Sequence, residues 1–211
     1  MKVHTIPSGM IQTNAYLLVD ESRKEAVLID APGEIWEKIE PLLSAVDAKL
    51  TELWITHGHW DHTQGGAEVV RQTSAKVIAH AADRTLIETP EIMEGFMGEK
   101  LGLEGIRVDQ WIDQADKFRA FGEDVEVRHV PGHCPGNVMF VFAARNQAFV
   151  GDAIFAGSIG RTDLPGGSFE LLAQSIREQI YTLPDETVLL PGHGPTTQVA
   201  IEKQHNPHVP A

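Results

Sequence analysis

Short apolar runs with turn residues between them open the chain: Val3 to Ile6, Tyr16 to Val19 and Ala26 to Ile29, the last leading into Asp30-Ala31-Pro32-Gly33. Runs of this length closed by turn formers predict strands, here of an antiparallel sheet. From Glu34 the period changes. Ile35, Ile39, Leu42 and Val46 recur at four, three and four residues, the spacing of one helix face, and Pro41 inside that pattern predicts a kink or a restart. A strand at Leu53 to Thr56, a helix from Gly65 to about Thr73 and a strand at Lys76 to Ala79 continue in β-α-β order. Ala81 to Asp113 reads as helix and loop, broken by Pro90, Gly95, Gly98, Gly102 and Gly105. A second β-rich block covers Phe118 to Phe121, Val125 to Val130, Val138 to Ala143 and Ala148 to Val150. After a loop from Gly151 to Gly167, the residues Phe169, Leu172, Ile176 and Ile180 mark a helix with Ser168 as its N-cap. A strand at Thr187 to Leu190 enters Pro191-Gly192-His193-Gly194-Pro195, and a short helix closes the chain. This alternation of β blocks and α/β segments predicts an α/β protein with two sheets face to face and helices outside.

Length and composition narrow the picture. A chain of 211 residues with 42% hydrophobic content is expected to form one domain around a sizeable core. Its net charge of −13 repels polyanions over most of the surface, which disfavours nucleic acid and anionic membranes as partners. The one cysteine, Cys134, rules out an intrachain disulfide and fits a reducing compartment. MKVHTIPSGMIQ has no apolar stretch of signal-peptide length, so a cytoplasmic protein is expected.

The chemistry concentrates in WITHGHWDHTQGG, Trp54 to Gly66, which places three histidines and an aspartate within six residues: His57, His59, Asp61 and His62. On one helix His57 and His59 would diverge, whereas a strand end breaking into a loop at Gly58 can bring all four side chains to one point. Imidazoles and carboxylates together form the common donor set for zinc, iron or manganese. The alternative is a histidine-rich surface loop. Three further strand ends repeat the setting: Val130-Pro131-Gly132-His133, Val150-Gly151-Asp152 and Leu190-Pro191-Gly192-His193. A lone histidine is usually a hydrogen-bonded structural residue; this recurrence is not explained that way.

His57-x-His59-x-Asp61-His62, His133, Asp152 and His193, in this order, resemble the metallo-β-lactamase superfamily, and the match runs from about Val3 to Pro195. The resemblance implies an αββα four-layer sandwich of two mixed sheets with outer helices. Gly151-Asp152-Ala153-Ile154-Phe155 and Gly160-Arg161-Thr162-Asp163-Leu164-Pro165-Gly166-Gly167 look like the short, single-domain glyoxalase II-like hydrolases. Carried over by position, the resemblance assigns His57, His59 and His133 to one metal and Asp61, His62 and His193 to the other, with Asp152 bridging. The main β-lactamases of the superfamily resemble this pattern but lack a histidine at the place of His62 and have cysteine at that of Asp152, so antibiotic hydrolysis is not the expected main activity.

Two divalent ions, zinc first and iron or manganese as alternatives, would hold a bridging water, lower its pKa to around 7 and polarise a carbonyl. A thioester suits such a centre, because a thiolate with a conjugate-acid pKa of about 8.5 leaves without a general acid. The expected substrate is therefore a small acyl thioester such as S-lactoylglutathione, with Asp61 catalytically essential. Two departures put glutathione specificity in question: sixteen residues follow Pro195, with no helical segment to grip glutathione, and Gly194-Pro195-Thr196 stand where glyoxalase II has a tyrosine. Arg161 is a candidate anchor for a substrate carboxylate; the alternative is a loop-stabilising arginine. Cys134 is expected to be a small packing residue, and the remaining histidines, His4, His80, His129, His205 and His208, structural or solvated. Persulfide dioxygenases resemble the chain in the same motifs with one iron on residues matching His57, His133 and Asp152, and lactone hydrolysis is a further variant.

Overall fold

The strand at Thr13–Asp20 is buried along its whole length except the final residue. A run without polar alternation requires this placement, between neighbours in the middle of a sheet. The computed structural model describes residues 1–98 and 100–211, and the chain divides into two units, Met1–Trp111 and Ile112–Ala211.

In the first unit β1 (Lys2–Ser8), β2 (Thr13–Asp20), β3 (Glu25–Ile29), β4 (Lys49–Trp54), β5 (Lys76–His80) and β6 (Gln110–Ile112) form a sheet in sequence order. β1, β2 and β3 pair antiparallel, as expected; β3–β4 and β4–β5 pair parallel. The parallel pairs need crossover helices. These are α1 (Ile35–Ala45) before β4, then α2 (Trp60–Thr63) and α3 (Gly66–Thr73) before β5. α4 (Arg84–Glu88) and α5 (Glu91–Met97) follow. Ile35 and Ile39 of α1 and Val69 of α3 join Leu17, Leu28, Leu53 and Val77 of the strands in one apolar core.

Three details differ from the sequence reading. α1 runs through Pro41 without interruption and buries Leu43 rather than Leu42 beside Ile35 and Ile39. Pro41 and Glu37, whose carbonyl it would have bonded, are both exposed, so water can take the lost hydrogen bond. β4 starts at Lys49, where Lys49, Leu50 and Thr51 alternate exposed, buried and exposed in a stretch too polar to read as a strand. Finally, the helix-and-loop segment ends in β6, a strand of three residues.

The second unit holds a sheet in the order β14-β13-β10-β9-β8-β7. Its strands are β7 (Lys117–Ala120), β8 (Glu123–His129), β9 (Val138–Phe142), β10 (Gln147–Gly151), β13 (Val188–Pro191) and β14 (Thr197–Gln198). β11 (Ile154–Phe155) and β12 (Ser158–Ile159) make a separate hairpin. β10 and β13 are parallel; β7–β8, β8–β9, β9–β10 and β13–β14 are antiparallel. β8, β10 and β13 therefore point the same way. α6 (Phe169–Ser175) starts where Ser168 Oγ accepts the Leu171 N–H at 3.3 Å, as expected of its N-cap, and winds on as a π-helical turn over Ile176–Ile180. Leu172, Ile176 and Ile180 pack with Val141, Val150, Leu189 and Val199, the first residue of α7 (Val199–His205). The protein is thus mixed α/β with two large mixed sheets. Among the described residues no helix is long and apolar enough to cross a membrane.

Candidate metal centre

Beyond β4 the chain bends at Thr56, is extended at His59 and then winds into α2, so Asp61 and His62 stand on a helical turn and not in the loop expected from the sequence. The loop is held by side chains from the neighbouring strand ends. Asp83 Oδ2 accepts the Gly58 N–H at 2.8 Å, and Asp30, just after β3, accepts the Thr56 N–H at 2.8 Å on Oδ1. Donor atoms of His57 and His59, of His57 and His62, and of Asp61 and His62 lie within 4.8 Å of each other, close enough to share an ion.

The hydrogen bonds fix which imidazole nitrogen is available as a ligand. Asp30 Oδ2 lies 2.7 Å from His62 Nδ1; a carboxylate accepts, so Nδ1 carries the proton and the lone pair sits on Nε2. Thr56 donates its hydroxyl hydrogen to Asp30 Oδ2 at 2.7 Å, so its oxygen can only accept from His57 Nδ1 at 3.2 Å, which leaves the His57 lone pair on Nε2 as well. Thr13 Oγ1 donates to Asp61 Oδ2 at 2.7 Å. Asp30, Thr56, Thr13 and Asp83 were not singled out from the sequence. The available signal was position: Asp30 follows a strand just as Asp152 does, but Asp30-Ala31-Pro32-Gly33 reads as a turn.

Asp30→Asn keeps an acceptor for Thr56 and weakens the charge-assisted bond to His62. We expect metal affinity to fall by about tenfold, the lower end of what supporting partners of ligating histidines contribute. Competition with a chromophoric chelator measures it.

In the second unit the C-terminal ends of β8, β10 and β13 deliver His133, Asp152 and His193. Asp152 Oδ2 lies 3.4 Å from His193 Nε2 and 3.7 Å from His133 Nε2. The parallel pairing of β10 and β13 causes the first contact, and the Gly192 N–H to Gly151 carbonyl bond at 2.8 Å extends it past the strands. His133 Nδ1 is 2.7 Å from the Arg161 carbonyl, an acceptor only, so His133 too presents its lone pair on Nε2. The chain reaches that position because residue 160 is glycine: a Cβ there would lie 1.9 Å from the Asp152 carbonyl oxygen and 2.9 Å from His133 Nδ1. Cys134 is buried, in keeping with a packing residue. His129 has a structural role, its Nε2 donating to the Pro135 carbonyl at 2.7 Å. Both clusters present imidazole nitrogens with the opposite nitrogen protonated, beside carboxylate oxygens, and this donor set fits divalent zinc, iron or manganese.

The Arg161 side chain is exposed and bonded along one edge of its guanidinium to Asp163, Nε to Oδ1 at 2.7 Å and Nη2 to Oδ2 at 2.8 Å. The Arg161 hydrogen bond holds the Asp163 carboxyl down to about 2. A depressed carboxyl contributes in full above its unfolded value near 3.9 and loses that contribution as pH falls through about 2. Carboxyl carbon NMR is expected to place the Asp163 midpoint near 2, and Arg161→Gln to return it to the ordinary carboxylate range.

With this geometry in hand, residues 8–193 match the family described as the metallo-beta-lactamase superfamily. The chain is 33% identical to the hydroxyacylglutathione hydrolase GloC of Haemophilus influenzae over 98% of its own length and 97% of that protein. Its fold is similar to the crystal structure of the BLEG-1 B3 metallo-beta-lactamase, with a TM-score of 0.91 and 33% identity over 100% of both chains. It is also similar to the crystal structure of TTHA1623 in a di-iron-bound form, with a TM-score of 0.85 and 34% identity over 97% of this chain and 99% of that one.

Proposed function

The chain belongs to the metallo-β-lactamase superfamily, and from that premise we propose that it is a cytoplasmic hydrolase of a small acyl thioester of the S-lactoylglutathione type, working with two divalent ions. The observation that carries this reading is the likeness to GloC across nearly the whole of both chains, in a sequence where every ligand position of the family pattern is filled. By the family pattern, His57, His59 and His133 would hold one ion and Asp61, His62 and His193 the second, with Asp152 shared. The di-iron form of TTHA1623 supports iron alongside zinc and manganese as occupant.

When bound, such a pair supplies a Lewis acid for the carbonyl and lowers the pKa of water to near 7. The protein's own groups do the positioning. Asp30 and the Arg161 carbonyl engage Nδ1–H of His62 and His133, so Nε2 is the nitrogen each offers to an ion. Asp61 and Asp152 bring the negative charge, and Thr13 fixes the Asp61 carboxylate. The leaving thiolate needs no protonating side chain. Arg161 is the candidate anchor for a substrate carboxylate, which would have to displace Asp163 from the guanidinium. The surplus of acidic residues keeps nucleic acid and anionic membranes away.

Elemental analysis of the purified protein, together with thiol release from S-lactoylglutathione, tests the reading. Two ions per chain and thiol release are expected, and His193→Ala should weaken the second ion while leaving the first in place. One iron per chain, oxygen uptake with glutathione persulfide and no thiol release would overturn it. Lactone opening faster than thiol release would move the substrate class. The likeness to BLEG-1 favours β-lactam hydrolysis as the second reading, and a chromogenic cephalosporin turned over faster than the thioester would establish it.

A further inference from the structure

Glu202, on α7, is 1% exposed, and its carboxylate is surrounded by donors from three segments. Thr197 Oγ1 donates at 2.6 Å, the Gly157 N–H at 3.1 and 3.2 Å to the two oxygens, and Asn206 Nδ2 at 2.8 Å. Asn206 Nδ2 also reaches the Ser158 carbonyl at 3.0 Å, so Glu202 and Asn206, one helical turn apart, grip the tip of the β11–β12 hairpin together. A buried carboxylate is costly unless its oxygens are satisfied, and here four hydrogen bonds from three donor groups satisfy both. The Tyr181 phenol, which donates to the Glu202 and Val209 carbonyls, is pushed up to about 12 by burial and then by the Glu202 charge beside it.

The segments that Glu202 joins are those that carry or support the ligand positions of the second unit. The hairpin begins two residues after Asp152 and leads directly into Gly160-Arg161, whose backbone lies against the Asp152 carbonyl and accepts the His133 Nδ1–H. Phe155 in the hairpin meets the His193 ring edge to face at 6.0 Å, and Thr197 lies four residues beyond His193. We infer that Glu202 is a positioning residue that sets His133, Asp152 and His193 in mutual register from behind, by locking the β11–β12 hairpin to the segment following His193. This rests on the reading of those three residues as metal ligands.

Metal affinity measured by chelator competition, beside thermal unfolding of the metal-stripped protein, tests it. Glu202→Ala is expected to weaken zinc binding by about tenfold or more, comparable to the loss of a direct supporting partner. Glu202→Gln, which keeps one acceptor oxygen, should fall between Glu202→Ala and wild type. Tyr181→Phe removes a hydrogen bond that fastens the same helix without touching the carboxylate, and should lower the unfolding temperature while leaving zinc affinity within about twofold of wild type. Should Glu202→Ala fail to fold, the Glu202→Gln and Tyr181→Phe pair decides. Affinity unchanged in Glu202→Gln, or reduced equally in Tyr181→Phe, would overturn the inference. A wild-type protein that binds no zinc, iron or manganese would instead sink the metal-centre reading on which it rests.

Discussion

Asp61→Ala is expected to lower thiol release from S-lactoylglutathione by at least about a hundredfold while the protein stays folded, because in the proposed reading it deletes a ligand rather than a support. Asp61 is the only carboxylate in the histidine-rich motif, and its Oδ2 lies 3.3 Å from His62 Nε2, the nitrogen that carries the lone pair. Its removal leaves Thr13 Oγ1 without an acceptor; a hydroxyl can turn or take a water, so the stability cost stays at about 1–2 kcal/mol. Thr13→Val separates the two roles. It keeps the Asp61 carboxylate but releases its orientation, and should cost activity about tenfold, well short of Asp61→Ala. Kinetics at saturating zinc, with circular dichroism as the folding control, make the comparison. Equal rates for Asp61→Ala and wild type would remove Asp61 from the chemistry.

Gly132→Ala should damage the second unit severely. Residue 132 has φ 127°, a region open to glycine, and an added Cβ would lie 2.2 Å from the Leu172 nitrogen and 2.4 Å from its Cα. Those are backbone atoms of α6, which cannot step aside as a side-chain tip would. The clash and the backbone strain together cost about 3 kcal/mol or more, which for a chain of this size lowers Tm by roughly 6–12 °C. Since His133 is the next residue, metal affinity should fall as well. Gly157→Ala is the control: φ is 71° there, but nothing lies within 4 Å of the added carbon, so only the backbone term of about 1 kcal/mol applies. Equal destabilisation by the two would show that packing against Leu172 is irrelevant. Calorimetry of the metal-stripped proteins decides it.

Much of this was legible in the sequence because it is local. Most strands of both sheets follow from apolar runs a few residues long, α6 from a helical period with Ser168 at its start, and the donor cluster from four side chains within six positions. Errors fell where the local pattern misleads. Pro41 forecast a break that an exposed position tolerates, and β6 was hidden in a segment full of glycines.

The sequence by itself determined which side chains are the candidate metal donors, since donor types and their strand-end setting are written in consecutive residues. Only the tertiary structure decided how those side chains are held. Asp30 and His62 are 32 residues apart, Thr13 and Asp61 48, and Glu202 and Gly157 45. Periodicity cannot register such pairs. They exist because sheet pairing brings distant strand ends together, and the hydrogen bonds formed there, not the residue types, select the nitrogen that each histidine offers to a metal.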